Sequence, residues 1–93
     1  MIYFIVNGTA RSGEGLNIWK QVRNHLKKME VEFKAFETKY EGHATILAEK
    51  ICKLPYDEIT LVTIGGDGTI NEVLNGITDF KKIRFGVIPR FWK

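Results

Sequence analysis

The sequence predicts an α/β domain, a three-layer doubly wound parallel sheet, and three observations carry that prediction. Short apolar runs alternate with amphipathic stretches in the order β-α-β-α-β-α-β, the pattern of a parallel sheet with helices on both faces. The first run, Ile2-Tyr3-Phe4-Ile5-Val6, is unbroken, as expected of a strand covered on both sides. The third run, Ile59-Thr60-Leu61-Val62-Thr63-Ile64, passes through Gly65-Gly66-Asp67-Gly68-Thr69 directly into a stretch of helical period.

Each element has its own local reason. After Val6 the segment Asn7-Gly8-Thr9-Ala10-Arg11-Ser12-Gly13-Glu14-Gly15 reads as a glycine-rich loop. Leu16, Trp19, Val22, Leu26 and Met29 recur at helical spacing, which predicts a helix from about Leu16 to Met29. His25, among Arg23, Lys27 and Lys28, reads as solvated. Val31 to Thr38 alternates, with Val31, Phe33 and Ala35 set against Glu32, Lys34 and Glu37, so it reads as a half-covered edge strand. Gly42-His43 opens a second helix with Ala44, Leu47, Ile51 and Leu54 on one face, and Pro55 stops it. In the helix after the glycine turn, Ile70, Val73, Leu74 and Ile77 share a face. Ile83 to Ile88 supplies a fourth strand.

The glycine turn is where chemistry is expected. Glycines permit φ > 0 and let an outside group approach the main chain. The helix behind them points unpaired N–H groups and its positive end at the turn, which suits phosphate. Thr69-x-x-Glu72 also has the spacing of a capping box, a purely structural role for both residues. With Thr69 capping, Asp67 is left to point outward. No Lys-Ser/Thr pair follows the glycines, so this is not a P-loop. In a doubly wound sheet, ligands bind outside the carboxyl ends of the strands. Asn7 with its loop, Thr38, and Gly65 to Thr69 all occupy that edge, which favours a phosphate site.

Composition narrows the field further. The 93 residues make one small domain, and a net charge of +3 is mild and scattered along the chain. No aromatic-basic interleaving suggests a nucleic-acid partner. A single cysteine, Cys52, excludes an internal disulfide and any multi-cysteine metal site, and its place on an apolar helix face predicts burial. No apolar stretch reaches membrane-spanning length, and Met1-Ile2-Tyr3 enters a strand without a signal-like segment, so a cytoplasmic location is expected.

The run Gly65-Gly66-Asp67-Gly68-Thr69-x-Asn71-Glu72-Val73-x-Asn75-Gly76 resembles the signature of the diacylglycerol kinase catalytic domain, shared with bacterial lipid kinases and sphingosine kinases. NAD kinases carry a related glycine-aspartate turn. The Asn7 loop is similar to the family's Asn-Pro-x-(Ser/Ala)-Gly-x-Gly, and Thr38 with Gly42-His43-Ala44 is similar to its Thr-x-x-x-Gly-(His/Asp)-Ala. The resemblance runs from Ile2 through Pro89. It implies the N-terminal domain of the diacylglycerol kinase and NAD kinase-like fold, phosphorylating a lipid hydroxyl with ATP and Mg²⁺. By the same resemblance Asn7, Gly8, Thr9, Ala10, Arg11, Thr38, Gly65, Gly66, Asp67, Gly68, Thr69, Ile70 and Asn71 would contact ATP. Asp67 would be the catalytic residue, acting through Mg²⁺ as its metal ligand or as a proton acceptor.

Departures shape the functional expectation. Gly8 stands where the family has Pro, and Arg11 where it has the following Gly. Arg11 either reaches a phosphate or marks a relaxed loop. The family continues its fourth strand into a Gly-Thr/Ser-x-Asn-Asp loop, whereas this sequence reads Arg90-Phe91-Trp92-Lys93. Residues 1–93 are therefore expected to form a truncated N-terminal ATP-binding domain, without the family's β-rich lipid-binding domain and inactive alone. The alternative is a non-catalytic nucleotide-binding or self-associating module. ATP, a lipid substrate in the full-length family, peripheral membrane contact and a homo-oligomer complete the expected partners, the last from surface that the family's second domain would cover, with Phe91 and Trp92 adding two apolar side chains unless they fold back on their own domain.

Overall fold

The computed structural model describes residues 1–7 and 14–89. Its elements run β1 (Ile2–Val6), α1 (Glu14–Lys28), β2 (Phe33–Glu37), α2 (His43–Cys52), β3 (Ile59–Gly65), α3 (Asp67–Gly76) and β4 (Ile83–Pro89). The strands form one parallel sheet in the order β2-β1-β3-β4. From β1 the chain moves to one side to make β2, then crosses to the other side of β1 to make β3. That reversal puts α1 on one face and α2 with α3 on the other, the doubly wound arrangement expected from the alternating runs.

Two apolar layers hold the sandwich. On one face Phe4, Val6 and Ile64 pack with Ile18 of α1. There Trp19 sits 4.9 Å from Phe4 and 5.5 Å from Phe33, ring to ring. On the other face Tyr3, Ile5, Ile59, Leu61 and Ile83 pack against Ala44, Ala48, Ile51 and Cys52 of α2, and against Val73 and Ile77 from α3 and its end. Cys52 is buried there, as its apolar setting predicts. Burial, and then the neighbouring Tyr56, raise the Tyr3 phenol above its ordinary pKa.

Several details differ from the sequence-based expectation, each for a local reason. Helix α1 begins at Glu14 and ends at Lys28, so Met29 leaves the apolar face and is 61% exposed. The helix closes in a Schellman motif: Glu30 N–H donates to Lys27 O, Val31 N–H donates to Leu26 O, and Glu30 takes φ 57°. That turn consumes Val31, and β2 starts only at Phe33. β2 lies at an edge as expected, but Ala35 is exposed rather than sharing the cover that Phe33 has. α2 ends at Cys52, short of Pro55; its deepest residues are Ala44, Ala48, Ile51 and Cys52, while Leu47 and, beyond the helix, Leu54 only flank the core. In α3 the inner side is Thr69, Val73 and Gly76, and Leu74 faces outward.

Gly76 explains why α3 can lie so close to α2. A Cβ there would collide with the Thr45 carbonyl oxygen and come within 2.7 Å of Ala48 Cβ. Thr45 Oγ1 in turn donates to Glu72 O at 2.7 Å, tying the two helices. At the far end of α2, Lys82 Nζ donates to Cys52 O at 2.8 Å and Leu54 O at 2.7 Å, placing a cation at the negative end of the helix.

A Gly76→Ala substitution gains about 1 kcal/mol in helix propensity but forces an overpacked contact costing about 1–3 kcal/mol. A lowered urea midpoint is expected. Gly68→Ala meets nothing within 4 Å, so there propensity should win and the midpoint should rise. Urea unfolding of both variants beside the wild type checks the pair.

Candidate functional site

The parallel register brings the carboxyl ends of three strands level. Val6 of β1 is paired with Glu37 of β2 and with Ile64 of β3. The next residues along, Asn7, Thr38 and Gly65, therefore emerge side by side. Backbone bonds continue the ladder one step further, with Asn7 N–H donating to Ile64 O at 3.0 Å and Thr38 N–H donating to Val6 O at 2.8 Å. β1 and β3 flank the point at which the winding reverses, where doubly wound sheets open a crevice.

Side chains then knit the three ends together. Asn7 Nδ2 donates to Thr69 Oγ1 at 2.9 Å, and Thr38 Oγ1 donates to Asn7 Oδ1 at 3.5 Å. Thr38 and Thr69 are 5% and 7% exposed, so this polar chain lies under the surface and its groups are held in place. Gly65 makes room for it. A Cβ there would sit 2.9 Å from both Cβ and Oγ1 of Thr69 and 3.2 Å from Cβ of Asn7. The first turn of α1 arrives equally closely, since a Cβ on Gly15 would stand 3.0 Å from Asn7 O.

Beyond this chain lies a polar pocket of about 230 Å³ lined by Asn7, Thr38, Tyr40, Glu41, Thr69 and Glu72. The loop that forms its outer wall is ordered by its own contacts. Tyr40 stacks on His43 with ring centres 4.4 Å apart and planes 13° from parallel. His43 Nδ1 accepts from Lys39 N–H at 2.9 Å. Gly42 takes φ 89° at the N-cap of α2, a left-handed conformation that L side chains rarely adopt.

Glu72 overturns the capping box. Its Oε1 accepts from Gly42 N–H at 3.0 Å, so it serves the start of α2 rather than the start of its own helix. Thr69 sits inside α3, whose N-cap is Gly66, and its hydroxyl is engaged by Asn7. The glycine turn also avoids positive φ. Among the described glycines only Gly42 has it, and Gly66 is extended at φ −94°. What the turn needs from glycine is space at Gly65, not an unusual dihedral.

The expected site residues thus fall into groups. Asn7, Thr38, Gly65 and Thr69 meet directly. Gly66, Asp67 and Gly68 form the beginning of α3, with Asp67 and Gly68 exposed. As N-cap, Gly66 offers the first N–H groups of the helix no capping oxygen. Asn71 is exposed one turn beyond Asp67, and Ile70, half-buried, donates its N–H to Gly66 O. Gly8, Thr9, Ala10 and Arg11 lie outside the described residues, as do Phe91 and Trp92. Sequence reasoning missed Tyr40, Glu41 and Glu72 as pocket residues. The signal for Tyr40 was its place between Thr38 and Gly42, at a strand's carboxyl end.

A family model, the diacylglycerol kinase catalytic domain, matches residues 1–90. The chain belongs to that family. Among its relatives, YtlR, a candidate lipid kinase of Bacillus subtilis, is 41% identical over 88 residues, covering 94% of this chain and 28% of YtlR. A diacylglycerol kinase of Staphylococcus haemolyticus is 43% identical over 65 residues, 69% of this chain and 19% of that protein. In three dimensions, a candidate diacylglycerol kinase of Bacillus anthracis superposes with a TM-score of 0.71 at 26% identity, covering 95% of this chain and 30% of the other. This diacylglycerol kinase-family chain therefore spans less than a third of the length of these relatives.

Replacing Glu72 with Ala leaves the Gly42 N–H without its carboxylate, a loss of about 1.5–3 kcal/mol for a charge-assisted bond. Amide exchange by NMR should accelerate at Gly42, and less so in Glu72→Gln, which keeps an acceptor oxygen. Acceleration at Thr69 with Gly42 unchanged would restore the capping box instead.

Proposed function

We propose that residues 1–93 carry the ATP-binding face of a lipid kinase domain, which transfers the terminal phosphoryl group to a lipid hydroxyl. The observation that carries this reading is the hydrogen-bonded meeting of Asn7, Thr38 and Thr69 beside the open start of α3. Membership of the diacylglycerol kinase family supports it. Phosphoryl transfer asks a protein mainly for positioning and for neutralisation of charge, and both are available at this edge of the sheet.

The N–H groups of Gly66 to Thr69 and the positive end of α3 suit phosphate oxygens. Open space over Gly68 lets such a ligand approach the main chain. Asn7 and Thr38 orient the ligand from the other two strand ends, with Gly8, Thr9, Ala10 and Arg11 expected alongside. Ile70 contributes through its backbone and Asn71 through its exposed amide. Among the described residues no group of three or more His, Cys, Asp and Glu could hold a metal ion. Magnesium binds through one or two carboxylates together with substrate phosphates and keeps several waters. Asp67, exposed at the first position of α3, fits as that carboxylate, or as acceptor of the proton from the attacking hydroxyl. When bound, magnesium would neutralise charge on the transferring phosphate.

The described residues offer one wall of a cleft, and holding two substrates in line while excluding water takes more than one. For residues 1–93 alone the proposal is nucleotide binding without lipid turnover. No helix among the described residues is long and apolar enough to cross a membrane. Cytoplasmic location and self-association belong to the same proposal.

Calorimetric titration with Mg·ATP tests it. Binding by the wild type is expected, weakened about tenfold or more in Asp67→Ala as one charge-assisted contact is lost. A lipid phosphorylation assay on the same chain should stay at background. Equal affinity in both proteins would remove Asp67 from the site, and Asp67-dependent turnover would overturn the one-wall argument.

A further inference from the structure

Among the described residues the sheet has two edges, β2 and β4, and they are built differently. β2 is five residues long and carries Lys34 and Glu37, the short and charged form that discourages another strand from adding. β4 is seven residues long, and its one charge, Arg84, is held by Glu58 at 2.9 Å. From Phe85 to Ile88 the strand is uncharged, and Val87 is 40% exposed. Lys82 O accepts from Ile59 N–H, and in a ladder alternate residues bond to the same neighbour. Arg84, Gly86 and Ile88 therefore turn their N–H and C=O groups to β3, whereas Ile83, Phe85 and Val87 turn theirs outward. No strand among the described residues pairs with that outward row.

We propose that a second copy of this chain pairs antiparallel along β4, with Phe85 opposite Phe85 of the other copy. The inference deepens the self-association named above and rests on it, giving it a surface. The strand's own residues select the register. Hydrogen-bonded pairs must match outward residues with outward residues, here Phe85 with Phe85 and Ile83 with Val87. A slide that pairs Ile83 with Phe85 would set Arg84 directly against Arg84, a destabilising like-charge pair. The opposite slide would set Ile83 against Pro89, which has no N–H to give. Centred on Phe85, Arg84 faces Gly86, and the two Phe85 side chains share one face of the joined sheet as a cross-strand aromatic pair. Phe80, 59% exposed just before the strand, comes to the end of the edge where Val87 of the other copy lies.

Light scattering and amide exchange on the 93-residue chain test this together. The wild type is expected at twice its 10.7 kDa mass. Exchange at Ile83, Phe85 and Val87 should slow about tenfold or more from dilute monomer to dimer, and that at Arg84, Gly86 and Ile88 should change less. Val87→Pro removes an outward donor and leaves the β3 ladder whole, so its mass should fall to that of one chain. Val87→Lys, which puts a charge on the edge, should do the same, and it decides the matter if the proline variant fails to fold. A dimer in which the outward amides exchange as fast as in the monomer, or one that both variants leave intact, would overturn the β4 pairing while leaving self-association in place. A wild-type mass of one chain at every concentration would overturn both, and slow outward amides in that monomer would mean that another segment of the same chain covers the edge.

Discussion

The hydrogen bond from Asn7 to Thr69 is the constraint on which the rest of this edge depends. It spans 62 positions of sequence and joins the end of β1 to the first turn of α3 across the point where the sheet changes direction. Because α3 follows β3 through only Gly66, fixing Thr69 also fixes where the helix starts and where its N–H groups point. The contact is possible only because Gly65 has no side chain, since a Cβ there would stand 2.9 Å from Thr69. Thr38 extends the bond to the third strand end, so one asparagine sets the relative positions of three loops.

The second half of the same stretch supports the first. Glu72 holds Gly42 at one end of α2, Thr45 returns a bond to the Glu72 carbonyl, and Gly76 lets the helices approach. Lys82 closes the other end of α2 against Cys52 and Leu54. α2 is thereby gripped at its positive end by a carboxylate and at its negative end by an ammonium, each matching the helix dipole. Through Gly42 this grip orders the Thr38–Gly42 loop, which is the outer wall of the pocket. Gly65 to Asn71 thus faces the candidate site, while Glu72 to Gly76 builds the helix pair behind it.

How much of this was legible in the sequence follows from the range of each interaction. The alternation of strands and helices, the edge position of β2, the burial of Cys52 and the convergence of Asn7, Thr38 and Gly65 all rest on periodicity and topology, which a single sequence carries. Glu72 was misread because Thr69-x-x-Glu72 has a valid local partner by spacing, whereas its actual partner, Gly42, lies 30 positions away. The glycine turn was misread for a similar reason. Composition shows that small residues are needed, but not whether a dihedral or a neighbour demands them. Met29 was placed on a helix face that ends one residue earlier, since a Schellman closure at Glu30 lacks the glycine that usually signals it. Tyr40 drew no attention, because its ring partner and the pocket exist only after folding.

The most direct measurement for the claim that ligand chemistry belongs to the carboxyl edge of the sheet is an NMR map of amide shifts on adding Mg·ATP. The account predicts shifts concentrated at Asn7, at Thr38 to Gly42, and from Gly66 to Asn71. Shifts centred instead on the opposite end of the sheet, at the surface pocket lined by Tyr56, Asp57, Asp79, Lys81 and Lys82, would contradict it.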